Sequence, residues 1–161
     1  MSDQTYDEIL RRLVAADVRF VLIGGLALNA WGVIRGTKDI DVVVDRDPQN
    51  VRAVAEAAVA IGGQVQMSSS FVSSEPGIAG ALASGDRVMI TTDLGVLDVV
   101  GGLPGVPAFS KLAPRAVAVE LAGVRVMVCS LEDLRAMKEA AGRPQDLVDL
   151  ANLDAIESDD N

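Results

Sequence analysis

Histidine is missing altogether from the 161 residues, and cysteine occurs once, at Cys129. Without imidazole there is no Ser–His–Asp or Cys–His catalysis and no imidazole-based zinc site. A lone thiol forms neither an intrachain disulfide nor a cysteine metal cluster. Acid–base and metal chemistry must therefore fall to carboxylates, Lys, Arg or Tyr6. Aromatic side chains number five, although half of all residues are hydrophobic, so the core is built from small and branched aliphatic residues. Basic residues are also scarce, 14 against 23 acidic ones, for a net charge of −9. That balance argues against a general nucleic-acid surface, since phosphate binding wants a basic face. A local basic patch, or one supplied by a partner subunit, stays open. No apolar run approaches the ~18 residues of a membrane span, and "MSDQTYDEILRR" lacks the apolar region of a signal peptide. The expectation is a cytoplasmic protein without membrane contact. Its length suits one domain over residues 1–157, followed by an acidic tail at 158–161.

Along the chain, 5–17 places Ile9, Leu10, Leu13 and Val14 on one helical face. "RFVLIG" reads as a buried strand ending at Gly24-Gly25, and "LALNAWG" as a short helix stopped near Gly32. "KDIDVVVD" is β-branched and strand-like. Pro48 opens a helix that Gly62-Gly63 closes. From Gln66 to Asp86 the periodicity weakens into Ser, Gly and Ala, which predicts a long, partly ordered loop. "RVMITT" and "GVLDVVGG" are strands, and two further runs meet at Ala122-Gly123 in a hairpin. Ser130 with Asp133 starts a helix, Gly142 closes it, and Pro144 begins the last one. The pattern is α/β (α+β): helices wrapped on a small mixed sheet, with the acidic site on one face, helices from both ends of the chain covering the opposite face, and the acidic "ESDDN" end frayed.

The distinctive stretch is "VLIGGLALNAWGVIRGTKDIDVVVD". Strand residues i and i+2 share a face, so Asp39 and Asp41 point together while Ile40, Val42 and Val44 point to the buried side. Two carboxylates at that ~7 Å spacing repel by about 2–3 kcal/mol at an effective dielectric near 20. A divalent cation between them reverses the sign. Oxygen donors without thiolate or imidazole suit Mg²⁺ or Mn²⁺. The competing reading is a strand end with two solvated charges. One short helix upstream, Gly24-Gly25 lets backbone amides approach a phosphate closely, and "GGLALNAWG" lacks the G-x-G-x-x-G spacing of dinucleotide sites.

"IGGLALNAWGVIRGTKDIDVVV" resembles the signature of the nucleotidyltransferase superfamily, whose fold is like the DNA polymerase β palm. The form with "ALNAWG" and "TKDID" is similar to small bacterial members related to toxins of type IV toxin–antitoxin pairs. The resemblance implies a nucleotidyltransferase fold, an NTP substrate, and metal held by Asp39 and Asp41. It also implies a third carboxylate on a nearby strand that completes the metal site and helps activate the attacking hydroxyl, for which Asp98 in "GVLDVVGG" is the candidate, with an edge-strand charge as the bland alternative. Asp86 and Asp93 sit at turn-like positions. In "KEAAGRPQD", Lys138 and Arg143 resemble the family's triphosphate-binding pair, with Asp146 bracing them. Arg35 and Thr37 would meet phosphate oxygens or cap the strand. Asn29 is a supporting residue and Trp31 a structural one.

The activity implied is metal-dependent transfer of a nucleoside monophosphate from an NTP to an acceptor hydroxyl, on RNA (tRNA) or protein. A partner antitoxin or a homo-oligomer is the implied assembly. One alternative is a small-molecule, antibiotic-modifying transferase, whose acidic surface would suit a cationic drug. Such enzymes more often carry Asp or Trp around the diglycine, which this segment lacks. The other alternative is a catalytically silent module of the same fold that binds a partner.

Overall fold

The computed structural model describes residues 3–37 and 39–159. Helix α1 (Asp3–Ala15) leads to β1 (Phe20–Ile23), α2 (Gly24–Ala30), β2 (Asp39–Val44) and α3 (Pro48–Val59). Then come β3 (Gln64–Gln66), β4 (Phe71–Val72), α4 (Glu75–Ser84), β5 (Arg87–Thr92) and β6 (Gly95–Val100). The chain ends with α5 (Phe109–Leu112), the hairpin β7 (Val117–Leu121) and β8 (Val124–Val128), and helices α6 (Leu131–Ala141) and α7 (Pro144–Asp159). The strands form one mixed sheet of eight in the order β4-β3-β5-β6-β2-β1-β8-β7. Pairing is parallel between β2 and β6 and between β1 and β8, and antiparallel elsewhere. This is the expected helix-flanked mixed sheet.

Local chemistry explains most boundaries. Asp47 caps α3 by accepting from the Gln49 amide (2.9 Å), with Pro48 in the first turn. Ser130 caps α6 by accepting from the Asp133 amide (3.0 Å), and Gly142 ends it in the left-handed conformation. Asp133 is then free to hold Arg115 through two bonds of 2.9 Å. Ile40, Val42 and Val44 are buried as their alternation requires. Burying each stabilises the fold by roughly 1.5–3 kcal/mol, enough to offset the cost of acidic neighbours on the same strand.

Three expectations are corrected. The predicted loop at 66–86 contains β4 and a regular helix, α4. Ser74 caps that helix by accepting from the Gly77 amide (3.1 Å), and Ile78, Ala81 and Leu82 are buried. Its apolar stripe is only those three residues among Gly and Ser, too short to register as a period. The frayed tail expected from Glu157 is helical as far as Asp159, and Glu157 pairs with Arg135 at 2.6 Å. Residues 160 and 161 lie outside the described residues. Finally, the C-terminal helices do not back the sheet opposite the acidic face: Leu134, Met137 and Lys138 of α6 and Asp146 of α7 wall the cleft that holds the aspartates. Among the described residues no helix is long and apolar enough to cross a membrane.

Candidate active site

Parallel pairing puts Asp41 of β2 beside Asp98 of β6, and paired residues share a sheet face. Asp39 stands on that face by alternation. Carboxylate oxygens of Asp39, Asp41 and Asp98 lie within 4.8 Å of one another. Asp98 belongs to a central strand, not an edge, and is 2 % exposed. The three line a cleft of about 630 Å³ together with Gly24, Gly25, Arg35, Thr37 and Arg87.

The cluster holds more negative charge than its surroundings balance. Asp41 is pushed up to about 7, first by burial and then by Asp98 and Asp39, with Arg87 opposing. Arg87 grips Asp98 through Nε (2.9 Å to one oxygen, 3.2 Å to the other) and Nη2 (2.8 Å). Among the described residues Arg87 is the one guanidinium bonded to any of the three carboxylates, which leaves the cluster short of cations. An all-oxygen donor set with this deficit fits a hard divalent ion such as Mg²⁺ or Mn²⁺.

The diglycine does two geometric jobs. Gly24 has φ +70, and a Cβ there would run into the Asp41 carboxylate, within 2.9 Å of its Cγ. A Cβ on Gly25 would come within 2.8 Å of the Thr37 hydroxyl and 3.6 Å of Arg35 Nη2. The turn therefore lies against the aspartates and the Arg35 loop as closely as backbone permits. Thr37 donates its hydroxyl to the Asp39 carbonyl (2.9 Å), fixing the entry to β2. Asn29, with its amide nitrogen facing the Val33 and Arg35 carbonyls (2.7 and 3.2 Å), holds the loop that carries Arg35. Trp31 is structural, donating to the Cys129 carbonyl at 3.0 Å.

The predicted basic group lies on the same cleft, but as an alternating chain of charges. Lys138 Nζ donates to Asp146 (3.2 Å) and Asp149 (2.9 Å). Asp146 accepts from Arg143 Nε (2.8 Å) and from the Arg143 amide (3.0 Å). Arg35 Nε faces Asp149 at 3.5 Å and makes no hydrogen bond among the described residues. Asp146 and Asp149 are almost wholly buried. Burial opposes ionisation of Asp146, yet bonds from Arg143 and Lys138 hold its carboxyl below the usual range. Arg143 is the exposed end of the chain.

Of the site residues named from the sequence, Gly24, Gly25, Arg35, Thr37, Asp39, Asp41, Asp98, Lys138, Arg143 and Asp146 line one cleft, and Asn29 stands behind it under the Arg35 loop. Two others went unread. Asp149 sits three residues after Asp146 on the same helical face, a spacing visible in "QDLVDL". Arg87 reaches Asp98 only through antiparallel pairing of β5 with β6, and no local pattern announces that register. Cys129, buried and pushed up to about 12 first by burial and then by Asp133, takes no part.

Among solved structures, the lincosamide antibiotic adenylyltransferase LnuA in its lincomycin-bound form is similar to this chain, with a TM-score of 0.68 at 16% identity, covering 97% of this chain and 98% of that one. TM1012 from Thermotoga maritima gives 0.54 at 18% identity, over 98% and 92%. ANT(2'')-Ia, in complex with adenylyl-2''-tobramycin, gives 0.53 at 14% identity, over 97% and 99%. These likenesses establish the fold. No curated protein sequence matches the chain. The family model described as nucleotidyltransferase of unknown function (DUF6036) matches residues 3–160, and the chain belongs to that family of nucleotidyltransferases.

Proposed function

We propose that the cleft transfers a nucleoside monophosphate from an NTP to the hydroxyl of a small acceptor, with Asp39, Asp41 and Asp98 holding Mg²⁺ or Mn²⁺. The observation that carries this reading is the meeting of three carboxylates within 4.8 Å, against a turn where glycine alone fits. A divalent ion held there would lower the pKa of the attacking hydroxyl and neutralise charge on the phosphates.

The protein's own groups have distinct tasks. Gly24 and Gly25 leave room for phosphate oxygens against the backbone. Arg35 and Arg143, the two ends of the buried charge chain, contact the triphosphate as bidentate forks. Lys138 gives two of its three ammonium hydrogens to Asp146 and Asp149, so it acts mainly by bracing both arginines, with one donor left for phosphate. Asp98, oriented by Arg87, orients the acceptor hydroxyl and accepts its proton. The acceptor oxygen bonds to the α-phosphorus, the bond from that phosphorus to the α,β-bridging oxygen breaks, and pyrophosphate leaves.

A small acceptor is favoured because the chain is nearly coextensive with LnuA and ANT(2'')-Ia, whose names attach them to a lincosamide and to an adenylylated tobramycin. The −9 charge also suits a cationic acceptor more than a polyanion. An RNA or protein acceptor, with an antitoxin partner in the cytoplasm, is the second reading. It is favoured by the Lys138–Arg143–Asp146 contacts, whose residues resemble a motif of toxin-related members. The test is transfer of label from each α-³²P-NTP, with Mg²⁺, to lincomycin, tobramycin, bulk tRNA or lysate protein. Labelled drug supports the first reading and labelled tRNA or protein the second. No labelled product with any acceptor, or labelling that survives in Asp41→Asn, contradicts both.

A further inference from the structure

The sheet face that carries the aspartates does not stop at the cleft. Asp41 pairs with Asp98, and Asp98 pairs with Met89 of β5. Thr91 of β5 pairs with Gln64 of β3, and Gln66 of β3 pairs with Phe71 of β4. Paired residues share a face, so Met89, Thr91, Gln64, Gln66 and Phe71 all stand on the aspartate side. Their in-between neighbours Val65 and Ile90 are buried on the other side. The cleft takes in Arg87 and not Met89. Beyond that point the face lies open: Met89 is 46% and Phe71 64% exposed, and Gln64, Gln66 and Thr91 are exposed too.

We propose that this open face is the acceptor shelf, built for a small polyol bearing an apolar arm. The inference rests on the nucleotidyl-transfer reading above. Three strand spacings separate Asp98 from Phe71, about 14 Å, the length of one sugar ring with a medium alkyl arm. The hydroxyl end meets Asp98, the apolar arm crosses Met89 and Phe71, and Gln64, Gln66 and Thr91 offer amide and hydroxyl partners along the way. The shelf residues themselves carry no charge, and Arg87 at its threshold is already committed to Asp98. A phosphodiester backbone would find no free cation there, which sets this surface apart from an RNA platform.

Methionine methyl groups report on each region. Met89 is on the shelf, Met137 lines the cleft, and Met127 of β8 is exposed in a different part of the sheet. The full-length protein carrying ¹³C-methyl methionine is titrated with octyl β-D-glucoside below its micelle concentration. A saturable shift of Met89, with Met127 still, is the expected result. Methyl β-D-glucoside should bind far more weakly, and Phe71→Ala should weaken the octyl glucoside by on the order of fivefold or more. Equal shifts at Met127, equal binding of the methyl glucoside, or no effect of Phe71→Ala would overturn the shelf. So would a uridine hexamer that moves Met89 when the glucoside does not. The four NTPs, each with Mg²⁺, are titrated separately and read on Met137. A response there with Met89 silent to glucoside removes the shelf alone. Silence there with Met89 responding removes the acceptor role together with the transfer reading it rests on.

Discussion

Asp41 is where the site's chemistry conflicts with the stability of the fold. Its carboxyl is raised to about 7 in the folded chain, chiefly by burial and then by Asp98, against an ordinary value of 3.8. A raised carboxylate favours the folded state below the unfolded pKa, and that advantage is lost as pH rises through the folded value. Metal-free protein should therefore lose stability between about pH 4 and pH 8. Asp41→Asn should be the more stable protein at pH 8, by on the order of 1–3 kcal/mol, and close to wild type at pH 4.5. Urea unfolding at the two pH values checks this. A variant less stable at pH 8 would mean that Asp41 is compensated within the protein. Gly24→Ala should cost on the order of 2–4 kcal/mol, from the left-handed backbone and the collision with Asp41 together, and should abolish transfer. At this scale the sequence was informative where spacing is local. Asp39 and Asp41 declare themselves by i, i+2 alternation, and Asp98 by being an acid within an apolar run. Arg87 does not, because its partner is set by strand register.

Helices α6 and α7 are joined to the loop before β2 by the chain Arg35–Asp149–Lys138–Asp146–Arg143. Its centre is buried and its ends face the cleft, so the two kinds of position should respond differently to mutation. Asp149→Ala leaves Lys138 short of a partner in a buried setting and should cost about 3–5 kcal/mol, read by chemical unfolding. Arg143→Ala removes an exposed end; it should change stability by about 1 kcal/mol yet weaken NTP binding roughly 10-fold or more, read by calorimetry. Equal losses of stability in both variants would contradict this division. Element boundaries were legible wherever a cap or turn residue marks them, as at Pro48, Ser130, Gly142 and the Ala122-Gly123 hairpin. Helix α4 was not legible, since its burial against α3, β3 and β5 is a tertiary matter that a stripe of Ile78, Ala81 and Leu82 does not reveal. The side of the sheet taken by α6 and α7 is likewise a question of long-range packing.

Across the whole molecule, an acidic chain lines one cleft with Asp39, Asp41 and Asp98 and also with Arg35, Lys138 and Arg143, so the same cleft offers acidic groups to metal and basic groups to phosphate. That arrangement couples the two ligands: nucleotide should bind poorly to the metal-free cluster, whose charge repels it, and well once the cluster is neutralised. The family assignment and the mixed sheet agree with what the diglycine and Asp-x-Asp stretch implied. The proposed acceptor surface lies outside those motifs, on strands whose register no local pattern announces. The most direct test of the central claim is calorimetric titration of the four NTPs with and without Mg²⁺, for wild type and for the Asp39→Ala, Asp41→Ala double variant. The account predicts binding of at least one NTP that requires Mg²⁺ and disappears in the variant. Binding that ignores Mg²⁺, or that survives loss of both aspartates, would contradict it.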